Sequence, residues 1–150
     1  MKLAEALQQR ADLNRTIDQL TSRISDNVLV QEGEKTNENP KELIKQLDQA
    51  IADLEKLIAR INLTNSLTKV NKVTLTELIA KKDALQKQIS VYQDIIYAAS
   101  KNTQRATRTE IKVLTVVDVK SLQSKLDKLS KEYRLLDNTI QETNWKTELK

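Results

Sequence analysis

Cysteine and histidine are both missing from this 150-residue chain, which holds one glycine, one proline and no phenylalanine. Without cysteine there is no disulfide frame, no thiol nucleophile and no thiolate metal site. Without histidine the commonest general base and the commonest metal ligand go as well. Most hydrolase, protease and zinc-enzyme chemistries thereby lose their working groups. No phosphate-cradling glycine loop is present either, so no acid, base or nucleophile can be assigned. The chain reads as a non-enzymatic protein with no cofactor and no identifiable small-molecule substrate. All-β and α/β folds use glycine at turns, bulges and helix ends, so one glycine in the whole chain argues against both.

No stretch reaches the ~18 apolar residues that a membrane span requires. The segment Met1 to Arg10 carries charge too early, and has too short an apolar run, for a signal peptide. A cytoplasmic protein with no membrane association is the expectation.

What is present is the composition of long helices, rich in Leu, Ile, Ala, Lys, Glu and Gln, with 31% charged residues. A first helix is expected from about Lys2 to Asp26. Its stripe is Leu3, Ala6, Leu13, Ile17, Leu20 and Ile24, three and four residues apart once Arg10 is admitted. Val28-Leu29-Val30 reads as a short strand, and residues 31–39 as a polar loop. Asn39-Pro40-Lys41-Glu42 is a strong helix start, with Asn39 as cap and Pro40 in the first helical position.

The second helix is expected from Pro40 to about Asn62. Ile44, Leu47, Ile51, Leu54, Ile58 and Ile61 form its seam, and Leu43, Ala50 and Leu57 widen it. A face this broad touches more than one partner, so the seam is a candidate for both core and oligomer contacts. Leu67 to Leu75 reads as a small hairpin turning at Asn71-Lys72. Thr74-Leu75-Thr76-Glu77 matches a capping box and opens a third helix, with a stripe of Leu75, Leu78, Leu85, Ile89, Tyr92, Ile96 and Ala99 around Lys82. Glu110 to Val117 is rich in β-branched residues and is the best strand candidate. Asp118 then caps a fourth helix with the seam Leu122, Leu126, Leu129, Tyr133, Leu136 and Ile140.

The expected fold class is therefore mainly α: four long amphipathic helices packed as an antiparallel coiled-coil-like bundle, with short β segments in the connectors. Residues 1–150 form one helical domain. Shifting helix one by 72 positions lays Leu3, Arg10, Leu13, Ile17 and Ile24 over Leu75, Lys82, Leu85, Ile89 and Ile96. That leaves open an internal repeat of two hairpins, 1–65 and 74–145.

The chain as a whole resembles the septicolysin-like family of small bacterial proteins. The resemblance rests on Met1 to Leu7, Val30 to Glu34, Arg60 to Ser66, Thr109 to Lys112, Thr115 to Val119, and Lys131 to Arg134 through Asn144-Trp145. It departs at Asn71-Lys72, where relatives look more like Asp-Gly. The family name points to a thiol-activated cytolysin, whereas this chain has no thiol, signal peptide or membrane-inserting segment. The resemblance implies no catalytic residues and members of unknown role.

Three features are candidates for function. Asn65 is in register with Ile44, Ile51 and Ile58, where a polar residue fixes pairing; the reading that local propensity favours is that helix two has ended and Asn65 belongs to a Thr64-Asn65-Ser66 turn. Lys101, Arg105, Arg108 and Lys112 form a basic stretch with Glu110 as its one acid, a candidate site for phosphate, RNA or another polyanion. Residues 1–60 hold 9 basic and 11 acidic side chains and residues 61–150 hold 16 and 10, so the positive charge lies in the second half. No aromatic is interleaved there to stack a base, which favours a solvated or salt-bridged loop. Arg10 and Lys82 interrupt otherwise apolar seams, and Asp18, Asp83 or Glu77 are in reach to pair with them. The reading adopted is a self-associating helical scaffold, most economically a homo-oligomer, with nucleic-acid binding as the alternative and a cytolysin by family label as a third.

Overall fold

The structure, a computed structural model, describes residues 1–103 and 111–150. Four helices account for most of it: α1 (Leu3–Asp26), α2 (Pro40–Leu67), α3 (Leu75–Ala99) and α4 (Val119–Lys146). Strands β1 (Lys69–Val70) and β2 (Val73–Thr74) pair antiparallel between α2 and α3, and a 3₁₀ turn over Ser100–Thr103 follows α3. The mainly α class, the four long helices and the small sheet in a connector are as the sequence led us to expect. At 24 to 28 residues and 1.5 Å of rise per residue, each helix is about 40 Å long. The chain divides into two compact units, Met1–Thr74 with Glu142–Lys150, and Leu75–Gln141.

In the first unit α1 and α2 form an antiparallel hairpin. Leu20, Leu43 and Ala50 make a buried cluster, with Ile17, Ile24 and Leu47 packed against it. Further along α2, Leu57, Ile61 and Thr64 continue the buried line. These positions repeat at three- and four-residue intervals, the heptad spacing that keeps one narrow stripe dry. The connector is fixed by Asn27, which is buried after the last turn of α1. Its side-chain amide donates to the Arg23 carbonyl at 2.8 Å, and its Oδ1 accepts the Glu38 N–H at 2.9 Å. The guanidinium of Arg23 forks onto the Glu38 carboxylate, with Nε to Oε2 at 3.0 Å and Nη2 to Oε1. Asn39 Oδ1 then accepts the Lys41 N–H at 3.0 Å, and Pro40 opens α2 as its spacing required.

Residues 142–150 return to this unit. The Leu3 N–H donates to the Thr147 carbonyl at 2.8 Å and the Leu149 N–H to the Met1 carbonyl at 2.9 Å, so that Lys2 and Glu148 form an antiparallel bridge. Both the Met1 amine and Lys2 Nζ contact Glu148, at 3.2 and 2.5 Å. Lys150 closes on α2: its N–H donates to Thr64 Oγ1 at 2.9 Å, and Arg60 Nε donates to its carbonyl at 2.8 Å. This contact accounts for a correction. Local propensity ends α2 near Asn62 and places Asn65 in a turn, yet the helix runs on to Leu67 with Asn65 inside it. Thr64 is fully buried, its hydroxyl donating to the Arg60 carbonyl while accepting from Lys150. Tertiary burial outweighs the few tenths of a kcal/mol by which Thr, Asn and Ser disfavour a helix.

In the second unit the exposed and shielded positions of α3 and α4 follow the expected stripes. Leu75 and Leu85 are buried on α3, and Leu126, Leu129 and Ile140 on α4. The hairpin before α3 turns at Asn71 and Lys72, both in the left-handed region with φ of 50° and 72°. That is the backbone of a type I′ turn, which Asn tolerates and Lys adopts at a cost. Asp118 caps α4 by accepting the Ser121 N–H at 3.1 Å.

The two other strand expectations are not met. Residues 28–30 and 111–117 pair with no strand among the described residues, and Glu110 lies outside those residues. β-propensity measures how well side chains pack on a neighbouring strand. Neither run has such a neighbour among the described residues, and both are exposed and without regular secondary structure.

Leu43→Ala should destabilise by about 2–5 kcal/mol in urea unfolding, whereas Ile44→Ala, one residue round the helix, should cost less than half as much; equal losses would show that the buried face is assigned wrongly. Asn27→Ala should cost about 1–3 kcal/mol, because it leaves the Glu38 N–H without its acceptor.

Candidate interaction site

The expected seam of α2 splits in two. Ile61 is buried and Leu47 and Leu54 are half-buried, so these three belong to the dry line of the helix. Ile44, Ile51 and Ile58 are not in that line. They are 43%, 47% and 37% exposed and recur every seven residues, so they form an apolar stripe along one flank of α2. Leu43, Ala50 and Leu57, which had seemed only to widen the face, are its buried centre. The broad face thus has a covered side and an open one.

Of the basic stretch, Lys101 and Lys112 are both exposed, and Arg105 and Arg108 lie outside the described residues. Lys101 Nζ stands 4.5 Å from the centroid of the Tyr97 ring, a cation–π contact. The structure does not bring Lys101 and Lys112 to a common ligand-sized site.

Arg10 and Lys82, the two basic residues inside the seams, differ in environment. Arg10 is exposed. Lys82 is largely shielded, and its Nζ donates to Asp137 Oδ1 of α4 at 2.6 Å, with the Tyr133 ring centroid 5.8 Å away. The partner is therefore Asp137, whereas Asp83 makes only a smaller electrostatic contribution. The hydrogen bond to Asp137 holds Lys82 above the usual lysine pKa, against the opposing effect of burial. The same bond holds Asp137 below the usual carboxylate range, again opposed by burial and helped by Gln141. The adjacent Lys81 pairs with Glu132 at 2.9 Å. These pairs fix how α3 and α4 register.

Sequence reasoning missed two features. The first is an apolar groove of about 370 Å³ between the end of α3 and the following connector, lined by Ile95, Ala98, Ala99, Lys101 and residues 113–117. The second is the tip of the α1–α2 connector, where Val28, Leu29 and Val30 all face solvent. Both apolar runs were visible in the sequence, but as strands rather than as open surface. Another concavity, of mixed lining, is formed by Met1, Gln9, Leu13, Asp53, Lys56, Leu57 and Arg60, and its Arg60 is already bonded to Lys150. Among the described residues no group of three or more Asp or Glu side chains could hold a metal ion, and no helix is long and apolar enough to cross a membrane.

The geometry defines a helical-hairpin protein with exposed apolar surfaces. The model of a family of unknown function, DUF6847, matches residues 10–149, and the chain belongs to that family. It is also similar to a crystal structure described as a functionally unknown conserved protein from Corynebacterium diphtheriae. The two are 38% identical with a TM-score of 0.95, over 100% of this chain and 99% of the other. A comparison with curated proteins found no match.

Asp137 supplies a pH test. Its folded-state pKa lies below the unfolded value of about 3.9, so its contribution is present above that pH and is lost as pH falls through the folded value. Wild type should exceed Asp137→Asn in stability at pH 6, and the gap should close as pH falls below about 4. A gap that stays constant would mean that the pair with Lys82 adds nothing.

Proposed function

We propose that this protein is a non-enzymatic interaction module that associates with itself through helix faces. The observation that carries the reading is the stripe of Ile44, Ile51 and Ile58, three isoleucines on one helix flank with between a third and a half of their surface in water. Isolated apolar residues on a surface are ordinary, but aligned ones at heptad spacing match the contact row of a helix–helix interface. Asp48 and Glu55 lie beside the row on the same helix, together with Lys41, so its rim is polar and charged. A polar rim around an apolar centre is the usual anatomy of a protein interface. Burying an isoleucine contributes about 1.5–3 kcal/mol, so three on each side of a two-fold contact supply enough to offset much of the cost of association. Lack of histidine and cysteine supports binding over catalysis.

Light scattering after size exclusion, on nuclease-treated protein, tests it. The wild type should exceed the 17.1 kDa chain mass, and Ile51→Asp should raise the dissociation constant at least about tenfold. A wild type at the monomer mass at all concentrations would refute the reading. Nucleic acid that co-purifies before the nuclease step and is lost at high salt would instead favour the basic stretch near Lys101 and Lys112.

A further inference from the structure

The turn between β1 and β2 is the strained point of the chain. Asn71 and Lys72 are the two non-glycine residues with positive φ among the described residues, at 50° and 72°. Turns of this type favour glycine, because a Cβ there crowds the backbone. The chain's one glycine lies elsewhere, at Gly33. The turn is held shut by a ladder of two residue pairs, Lys69 with Thr74 and Val70 with Val73.

The first unit straddles this turn. Residues 1–70 supply α1, α2 and β1, and residues 142–150 come to the same unit from beyond the turn. Specific bonds join the two pieces. The Leu3 N–H donates to the Thr147 carbonyl at 2.8 Å, and the Leu149 N–H to the Met1 carbonyl at 2.9 Å. The Lys150 N–H donates to Thr64 Oγ1 at 2.9 Å, and Arg60 Nε to the Lys150 carbonyl at 2.8 Å. Lys2 Nζ pairs with Glu148 at 2.5 Å. None of these bonds requires that residues 147–150 belong to the same chain as Leu3 and Thr64.

We infer that two copies exchange their C-terminal halves: the Asn71-Lys72 turn opens, and residues 73–150 of each copy complete the first unit of the other. Residues 142–150 do not move alone, because Glu142 to Lys146 are the last residues of α4, whose earlier turns belong to the second unit. The half that moves therefore carries β2, α3 and α4 together. β1 of one copy then pairs with β2 of the other, and Lys2 of one with Glu148 of the other. Each bond named above is remade across the two copies, and Lys72 no longer has to hold a positive φ in either. Short strained hinges favour such an exchange, and reuse of existing contacts makes it a low-cost route to a dimer. In dilute solution the closed chain prevails, because its two halves are tethered. The exchange goes beyond the pairing of the α2 stripe and does not depend on it, since it uses no exposed apolar face.

Disulfide trapping reads the exchange directly, since the chain has no cysteine of its own. Lys2 and Glu148 oppose each other in an antiparallel bridge, where Cα atoms are about 4.5–5.5 Å apart and within disulfide reach. All chains carry Ile51→Asp, which removes the stripe contact. Chains with Lys2→Cys and chains with Glu148→Cys are mixed at high concentration, warmed, oxidised and digested. The expected product is a disulfide between positions 2 and 148 of different chains, identified by peptide mass spectrometry. Its yield should rise with concentration and fall at least about tenfold when Lys72→Gly is added to both chains, because glycine relaxes the closed turn. A chain carrying both Lys2→Cys and Glu148→Cys should close on itself when dilute. Absence of the interchain link at every concentration overturns the exchange, as does a yield that Lys72→Gly leaves unchanged. A double variant that fails to close overturns it too, because the bridge would then be missing. The stripe reading stands or falls separately, on whether Ile51→Asp alone lowers the mass of the assembly.

Discussion

The dry seam between α1 and α2 is the constraint on which the first unit depends. Few residues of either helix are fully buried, Leu3, Ala4, Ala6 and Leu20 on α1 and Leu43, Ala50, Leu57, Ile61 and Thr64 on α2, so the contact is narrow. A seam this narrow has little redundancy, and the polar fixtures at its ends gain importance. Asn27 at one end and Thr64 at the other are the buried polar groups that satisfy backbone partners while tying the connector and residues 147–150 to the helices. In a fold with a single glycine, side chains take over the helix-ending work that glycine usually does. Asn27 is the clearest case, closing α1 and accepting from the residue that leads into α2.

Much of this was legible in the chain itself. The stripes of α1, α3 and α4 name their shielded residues correctly, because heptad spacing leaves one face to bury. Asn39-Pro40 and Asp118 announce their helix starts because a cap is a local interaction. On α2 the spacing was ambiguous. Leu43, Ala50 and Leu57 and Ile44, Ile51 and Ile58 form two heptad rows one residue apart, and nothing local says which faces α1. The residue that breaks the tie is Thr64, whose burial by a segment 86 residues away lies beyond any sequence window. The same non-local contact hid the true end of α2. The strand reading of 111–117 failed for a related reason: the run has the residues for a sheet and no second strand to pair with.

The candidate surfaces were less legible than the fold. A sequence displays where apolar residues occur, but exposure is a property of what the rest of the chain leaves uncovered. The Ile44, Ile51 and Ile58 row, the 28–30 tip and the groove by Ala98 share this character. Each is a place where apolar side chains meet water in a chain that otherwise sorts them carefully. Lys82 shows the opposite, a charge inside a seam made tolerable by Asp137 and by the face of Tyr133. Its counterpart Arg10, in the same heptad position of α1, stays in solvent. Similar spacing thus gave one register-fixing pair and one solvated side chain.

The bridge between Lys2 and Glu148 sets an order of events for the folding chain. Its hydrogen bonds join residues more than 140 positions apart, so closing it carries a large loop-closure entropy unless the intervening chain is already ordered. Local hairpins such as β1–β2 and the α1–α2 pair close short loops and form early, whereas contacts of this separation come last. The first unit is built from two pieces of sequence, Met1–Thr74 and Glu142–Lys150. A chain still emerging from synthesis holds α2 with Thr64 and Arg60 uncapped until Lys150 arrives. Residues 147–150 thus clasp Met1, Leu3, Arg60 and Thr64 through backbone groups, joining the two pieces of the first unit.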